Sequence, residues 1–198
     1  MNFLPITTER EARHFNRLPV IAVDLGFSGR NRTTGVAWSP SSSSHSEATK
    51  HQFGEAVTEV ANLIRPLREV VLVLEAPLSS AFNGRGNPRP RGQFEREPHC
   101  RWWSVGSGAA TALSALFFLR QLHCKLESSS VTIHLVEGFV SGDDSGDHDK
   151  VADVLCQGFR GKHNRRWHSV SEDGSVISAL DWLNCKAPHH PPVILQPD

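Results

Sequence analysis

Three separate runs of apolar residues in this chain each end in an acidic residue. The runs cover residues 19–24, 69–75 and 131–137, and their last residues are Asp24, Glu75 and Glu137. Short, continuous apolar runs predict strands that are buried on both faces, as in a parallel sheet covered by helices. Ligand sites of open α/β sheets lie at the carboxyl ends of parallel strands, so the pattern predicts that these three acids meet at one site.

The segments between these runs predict a hairpin, a further short strand and several helices. Residues 33–38 form the return arm of the hairpin, and 51–53 form the short strand. Helical periodicity is found at 55–67, 104–122, 147–159 and 173–184. Residues 77–103 are rich in Gly, Pro and Arg and exceed the length of an ordinary connection. The alternation of strands and helices predicts an α/β fold, with a mixed sheet and helices on both faces.

Length, hydropathy and cysteine spacing indicate the general class of protein. The chain has 198 residues, which fits one domain with a sizeable core. We expect this domain at 19–185, after a polar lead-in at 1–18 and before an irregular tail at 186–198. The first residues do not resemble a signal peptide, and the longest apolar stretch is too short to cross a membrane. The four cysteines form no CxxC pair, so we expect reduced thiols and a cytoplasmic protein.

Charge is balanced overall but concentrated locally. The chain has 21 Lys and Arg residues against 21 Asp and Glu residues, which excludes the strongly cationic surface of a general nucleic-acid coat protein. Five arginines lie in or beside the long 77–103 loop, together with aromatic residues: Arg85, Arg89, Arg91, Arg96 and Arg101. Guanidinium groups bind phosphates and aromatic rings stack on bases, so this loop is a candidate substrate-binding segment. The alternative is a solvated loop without a ligand.

The acidic residues indicate metal-dependent chemistry. Asp149 and Asp153 are four residues apart on a predicted helix and therefore share one face. Grouped carboxylates in a poorly solvated place favour a bound cation, and hard oxygen ligands suit Mg2+ or Mn2+. Such ions activate water and stabilise a leaving oxyanion, which predicts phosphodiester hydrolysis. The alternative for each acid is a local role, as a cap or as a first-turn acid at a helix N-terminus.

Several short motifs in residues 19–158 together resemble a known family. They are IAVDLGFSGRNRTTGVAW, VVLVLEAPLSS, the segment Phe94-Glu95-Arg96, HLVEGF and HDKVADVLC. This set resembles the predicted ribonuclease-H-like nucleases of undetermined function and, more distantly, the Holliday-junction resolvases. The chain differs in having Gly138-Phe139 where a proline-containing turn is common, and in a four-residue spacing of the helix acids where resolvases use three.

The resemblance implies a ribonuclease-H-like single domain and a set of site residues. Asp24, Glu75, Asp149 and Asp153 would be metal ligands, and Glu137 would be a further catalytic acid. Asp24, Glu75 and one helix acid would form the core of the metal site. The expected function is that of a hydrolase, a nuclease dependent on Mg2+ or Mn2+, with DNA or RNA as its partner.

Two other functions are compatible with parts of the sequence. Asp24-Leu-Gly followed by Thr34-Gly35 resembles the first phosphate hairpin of the ATPases and kinases of the actin and sugar-kinase superfamily. That superfamily needs two such lobes, and a chain of 198 residues has no room for the second. The other alternative is a non-catalytic module that binds nucleic acid or protein through the arginine-rich loop and needs no metal.

Overall fold

The computed structural model describes residues 1–26, 31–41, 45–96, 107–140, 147–170, 176–183 and 190–197. In chain order the strands are β1 (Asn2–Pro5), β2 (Val20–Asp24), β3 (Thr34–Ser39), β4 (Glu47–His51), β5 (Glu69–Glu75), β6 (Ser79–Phe82), β7 (Pro88–Arg89), β8 (Thr132–Gly138), β9 (Arg165–His168), β10 (Val176–Ser178) and β11 (Ile194–Pro197). The helices are α1 (Glu9–Phe15), α2 (Phe53–Ile64), α3 (Ser107–Lys125), α4 (His148–Phe159) and α5 (Ala179–Trp182).

A mixed sheet runs through the centre of the molecule in the order β4-β3-β2-β5-β8-β11-β9. The central strands β2, β5 and β8 are parallel, whereas β3 and β4 are added as antiparallel neighbours. Strands β1 and β11 both pair in parallel with β8, β1 along its first half and β11 at its end. A smaller antiparallel sheet, β10-β6-β7, follows the carboxyl end of β5. The predicted α/β class with a mixed sheet is confirmed.

Helices cover both faces of the central sheet because its strands are apolar on both faces. On β2, Ile21 and Val23 pack into the core beneath α2 and α3, whereas Val20 and Ala22 pack into the core beneath α4. Side chains alternate between the faces of a strand, so each strand residue can be assigned to one core. We call these two sides the α3 face and the α4 face. This assignment determines which acids can meet.

Strand β5 has the predicted bounds, and the other predicted strands and long helices shift by a few residues. The short strand lies at Glu47–His51, before its predicted position. Within the long 77–103 segment, the described part forms β6, β7 and a single 3-10 turn at Gln93–Glu95. The helix predicted at 173–184 begins only at Ala179, after β10, and residues 171–175 and 184–189 lie outside the described part.

Both terminal segments differ from the prediction. Residues 1–18 were expected to be a polar lead-in, but they form β1 and a capped helix α1, with Phe3 and Ile6 buried. Residues 186–198 were expected to be irregular, yet β11 enters the central sheet and Val193 is buried. Both strands have four residues and pair with β8, which is far away in sequence, and β11 also pairs with β9. Such short segments carry too little periodicity to be recognised alone.

Helix α3 is the longest helix, with 19 residues. No helix in the described ranges is both long and apolar enough to cross a membrane.

The thiols provide a direct test of how α4 packs on the sheet. Burial raises the pKa of Cys156 to about 12, whereas Cys124 is exposed near the end of α3. The thiolate is the reactive form, so we expect an alkylating reagent to label Cys124 in the native protein and Cys156 only after denaturation. Peptide mass spectrometry after brief labelling measures both sites. Equal labelling of the two thiols in the native state would contradict this packing.

Candidate metal site at the carboxyl edge of the sheet

Four residues form one row across the α4 face of the sheet. Glu75 of β5 pairs in register with Asp24 of β2, Asp24 with Gly35 of β3, and Gly35 with Lys50 of β4. Residues in register on neighbouring strands share a face and lie about 5 Å apart. We call this line the Lys50–Glu75 row. Asp24 and Glu75 therefore lie side by side at the carboxyl ends of two parallel strands, as predicted from the sequence.

Asp24 is buried and is held by a histidine of α4. Its side chain is 4 % exposed, and Oδ2 lies 2.8 Å from Nδ1 of His148. A carboxylate oxygen accepts hydrogen bonds, so we assign the proton of this pair to Nδ1 of His148. The hydrogen bond to Asp24 raises the pKa of His148 and outweighs the opposing effect of its partial burial. The imidazole thus fixes the orientation of the Asp24 carboxylate.

Gly35 allows α4 to approach the sheet closely. A Cβ atom at this position would lie 1.9 Å from the carbonyl oxygen of His148 and 2.8 Å from the backbone nitrogen of Asp149. The first turn of α4 therefore rests directly on the backbone of β3. This close approach puts His148 beside Asp24, the neighbour of Gly35 on one side of the row.

Lys50, the neighbour of Gly35 on the other side, binds the acids at the start of α4. Its ammonium forms an ion pair with Asp147 and lies 3.0 Å from Oδ1 of Asp149. These contacts raise the pKa of Lys50, with the hydrogen bond to Asp147 as the largest cause. Lys150 also contacts Asp147, at 2.6 Å. The first turn of α4 is thus held on both sides of Gly35.

Asp153, one turn further along α4, also faces the β4 side. It accepts hydrogen bonds from Ser46, which precedes β4, and from Nε2 of Gln157 at 2.7 Å. The expectation that Asp153 converges with Asp24 and Glu75 is therefore corrected, although all three lie on the α4 face. The helical spacing correctly predicted a shared face for Asp149 and Asp153, but it does not determine which strand that face overlies.

Glu137 departs from the prediction because it lies on the α3 face. It pairs in register with Leu74, not with Glu75, so its side chain points to the side opposite Asp24. There it is completely buried and accepts two hydrogen bonds of 2.7 Å from the guanidinium of Arg91. The backbone N–H of Leu78 donates a third at 2.8 Å. This corrects the expectation that Glu137 joins the other strand-end acids.

Arg91 is a buried structural cation and not an exposed phosphate ligand. Its side chain is fully buried between Glu137 and Glu95, and it also donates to Ser79. The expected substrate-binding role of Arg91 is therefore corrected. The ion pair joins the segment after β7 to β8, two parts of the chain whose pairing no local sequence signal indicates.

The other arginines of the loop have different environments. Arg85 is exposed at the tip of the β6–β7 hairpin, and Arg96 is exposed after the 3-10 turn. Arg89 is half-buried and donates to the carbonyl of Phe82 at 3.0 Å. Arg101 lies outside the described residues. The surface available for phosphate binding in the described part of this loop therefore includes Arg85 and Arg96.

An apolar cleft of about 360 Å³ lies on the α3 face, between the small sheet and α3. Its lining includes Pro77, Leu78, Phe82, Leu113 and Ile177. The described lining has no charged side chain, so neither Asp24 nor Glu75 lines this cleft.

Comparison of the chain with protein-family models, with curated proteins and with solved structures found no match. Among the described residues, no three His, Cys, Asp or Glu side chains form a group able to hold a metal. The paired carboxylates of Asp24 and Glu75 nevertheless fit Mg2+ or Mn2+, because Mg2+ commonly takes one or two protein carboxylates together with water and substrate phosphates.

Sequence reasoning identified Asp24 and Glu75 but missed Lys50 and Gly35. Both belong to the row only through strand register, which depends on the length of the turn between β3 and β4. The one available signal was the glycine at the start of the predicted hairpin arm, since an isolated Gly in a strand indicates close approach of another backbone.

Proposed function

We propose that this protein is a divalent-metal-dependent nuclease, with Asp24 and Glu75 as the metal-binding carboxylates. The observation that carries the proposal is the in-register pairing of these two acids at the carboxyl ends of parallel strands. Open α/β sheets place ligands at such an edge. The β2–β3 hairpin, followed by the parallel strands β5 and β8, also supports the proposed resemblance to ribonuclease-H-like proteins.

Each residue of the site has a distinct task under this proposal. Asp24 and Glu75 supply hard oxygen ligands, which suit Mg2+ or Mn2+ better than zinc. The Nδ1–H group of His148 donates a hydrogen bond to Oδ2 of Asp24, so Oδ1 would be the atom available to hold the ion. When bound, the ion would activate water for attack on a phosphodiester and stabilise the leaving oxyanion.

Cleavage of labelled nucleic acids tests the proposal. With Mg2+ or Mn2+ present, the wild type should cleave at least one of single-stranded DNA, RNA, duplex DNA or a branched junction. Asp24→Asn and Glu75→Gln keep the side-chain shapes but remove ligand charge, so turnover should fall by orders of magnitude while binding persists. Glu127→Gln is the matched control, because Glu127 is exposed between α3 and the start of β8, at the end of the parallel strands opposite to Glu75.

Two outcomes would contradict the nuclease proposal. Metal-independent binding of nucleic acid without cleavage would favour the non-catalytic module. Cleavage that is unchanged in Asp24→Asn and Glu75→Gln would show that any activity arises at another site.

Under this proposal, the exposed arginines of the loop that follows β5 would bind the phosphate backbone. Replacing Arg85 and Arg96 together with alanine should weaken binding and flatten its salt dependence, by about 0.9 of a slope unit per lost duplex contact. Turnover at saturating substrate should persist, since neither residue belongs to the row. Fluorescence anisotropy at several salt concentrations measures the slope. A slope equal to that of the wild type would show that Arg85 and Arg96 do not contact the substrate.

A further inference from the structure

The Lys50 ammonium occupies a position that bears directly on cation binding at this edge. It lies in the same cross-strand row as Asp24 and Glu75, on the same face of the sheet. Gly35 separates Lys50 from Asp24 in the row. The Cα atoms of Lys50 and Asp24 are therefore about 10 Å apart, which is twice the spacing between neighbouring strands. Lys50 is thus a fixed positive charge at the end of the proposed metal site.

Asp149 is turned toward this charge. Its Oδ1 atom lies 3.0 Å from Nζ of Lys50, whereas the preceding residue, His148, is turned toward Asp24. Successive helix residues point about 100° apart, so the step of one residue from His148 to Asp149 directs the two side chains to opposite sides of Gly35. Asp149, one of the four carboxylates that the family resemblance would assign to the metal, therefore forms an ion pair with a lysine.

We propose that Lys50 is an internal cation that competes with a divalent metal ion for Asp149. The inference rests on the proposed function, because it concerns the ion that Asp24 and Glu75 would bind. In the metal-free protein the ammonium neutralises Asp149 and keeps it on the β4 side. Entry of a divalent ion into the row exchanges the Lys50–Asp149 contact for a metal contact. Lys50 thereby sets the metal concentration at which the site fills.

Calorimetric titration with Mn2+ alone tests this competition. Lys50→Met removes the competing charge, so Mn2+ should bind more tightly by about fivefold or more, the factor expected for one unit charge about 4 Å away in water. Lys50→Arg retains the charge and should bind Mn2+ as the wild type does. The side chain of Lys50 is 38 % exposed, so both variants should fold, as circular dichroism can verify.

Lys150→Met is the matched control for a general change in charge. Lys150 also contacts Asp147, but its side chain is 73 % exposed. Lys150→Met should therefore change the affinity for Mn2+ less than Lys50→Met does. The double variant Lys50→Met with Asp149→Asn should lose the gain in affinity, because the released carboxylate is no longer present.

The same titrations separate this inference from the proposed function. If Asp24→Asn abolishes Mn2+ binding but Lys50→Met does not increase it, the competition is wrong and the proposed site survives. If Lys50→Met increases affinity while Asp24→Asn has no effect, the ion binds Asp149 alone and the proposed nuclease site is wrong. An equal gain in Lys150→Met would also overturn the competition. If the wild type shows no binding, binding in Lys50→Met supports the inference, and its absence there overturns it.

Discussion

Replacing Arg91 with methionine is expected to destabilise the fold by about 3–5 kcal/mol. Arg91 lies between Glu137 and Glu95, and all three side chains are essentially inaccessible to solvent. Removal of Arg91 leaves two buried carboxylates without their cation. The loss of stability therefore includes the cost of keeping both carboxylates away from water without a partner. Chemical denaturation at neutral pH measures the free energy of unfolding.

Control variants show whether the buried charge is responsible. Arg85→Met makes the same substitution at the exposed tip of the β6–β7 hairpin, and its effect should stay within about 0.5 kcal/mol. Adding Glu137→Gln to Arg91→Met removes one uncompensated charge and should restore part of the stability. A loss below about 1 kcal/mol in Arg91→Met would contradict the structural role of this ion pair.

The Arg91→Met variant should also depend on pH in a definite direction. Burial raises the pKa of Glu137, and Arg91 opposes that shift in the wild type. Without Arg91, the folded state holds a proton on Glu137 at a pH where the unfolded state has lost it. Stability then falls as pH rises, because the folded state binds more protons than the unfolded state. The deficit relative to the wild type should therefore grow as the pH rises above about 4.3, the pKa of glutamate in the unfolded chain.

The second large effect is expected at Gly35. A Cβ atom there would overlap the carbonyl group of His148, at 1.9 Å from oxygen and 2.3 Å from carbon. Because both partners are backbone atoms, Gly35→Ala must displace the start of α4 and should cost about 3 kcal/mol or more. The displacement should also separate His148 from Asp24 and weaken metal binding.

Gly54→Ala is a matched control for this substitution. Gly54 lies in the first turn of α2, and beyond its chain neighbours and the nearby backbone of that helix nothing lies within 4 Å of a Cβ placed there. Alanine should stabilise this helix by about 0.5–1 kcal/mol, because it restricts the unfolded chain and favours helix. If thermal unfolding showed Gly35→Ala to be as stable as the wild type, the close approach of α4 to β3 would be wrong.

The strand ends show how far the sequence could predict the site. Apolar runs ending at Asp24 and Glu75 identified two strands and their edge, and register places these two acids together. Glu137 ends an equally apolar run, but its strand is offset by one residue relative to β5. A one-residue offset turns a side chain to the other face of the sheet. Register depends on packing between distant segments, which a single apolar run does not encode.

Arg91 illustrates the same limit for charged residues. An arginine in a Gly- and Pro-rich loop is usually solvated, and nothing local distinguishes Arg91 from Arg85 or Arg89. Its burial depends on Glu137, which is 46 residues away in the chain. Similarly, β1 and β11 are too short to be recognised without β8 as their partner. Local periodicity thus predicted elements, whereas pairings across the chain required the three-dimensional structure.

The central claim is that Asp24 and Glu75 together bind a divalent ion, and thermal unfolding with Mg2+ or Mn2+ tests it most directly. An ion at 100 times its Kd stabilises the folded state by about 2.7 kcal/mol, which corresponds to a rise in Tm of about 5–10 °C for a chain of this size. We expect this rise in the wild type and in the Glu127→Gln control, and its loss in Asp24→Asn and Glu75→Gln. An equal rise in all four proteins would contradict the account, because the ion would then bind away from these two carboxylates.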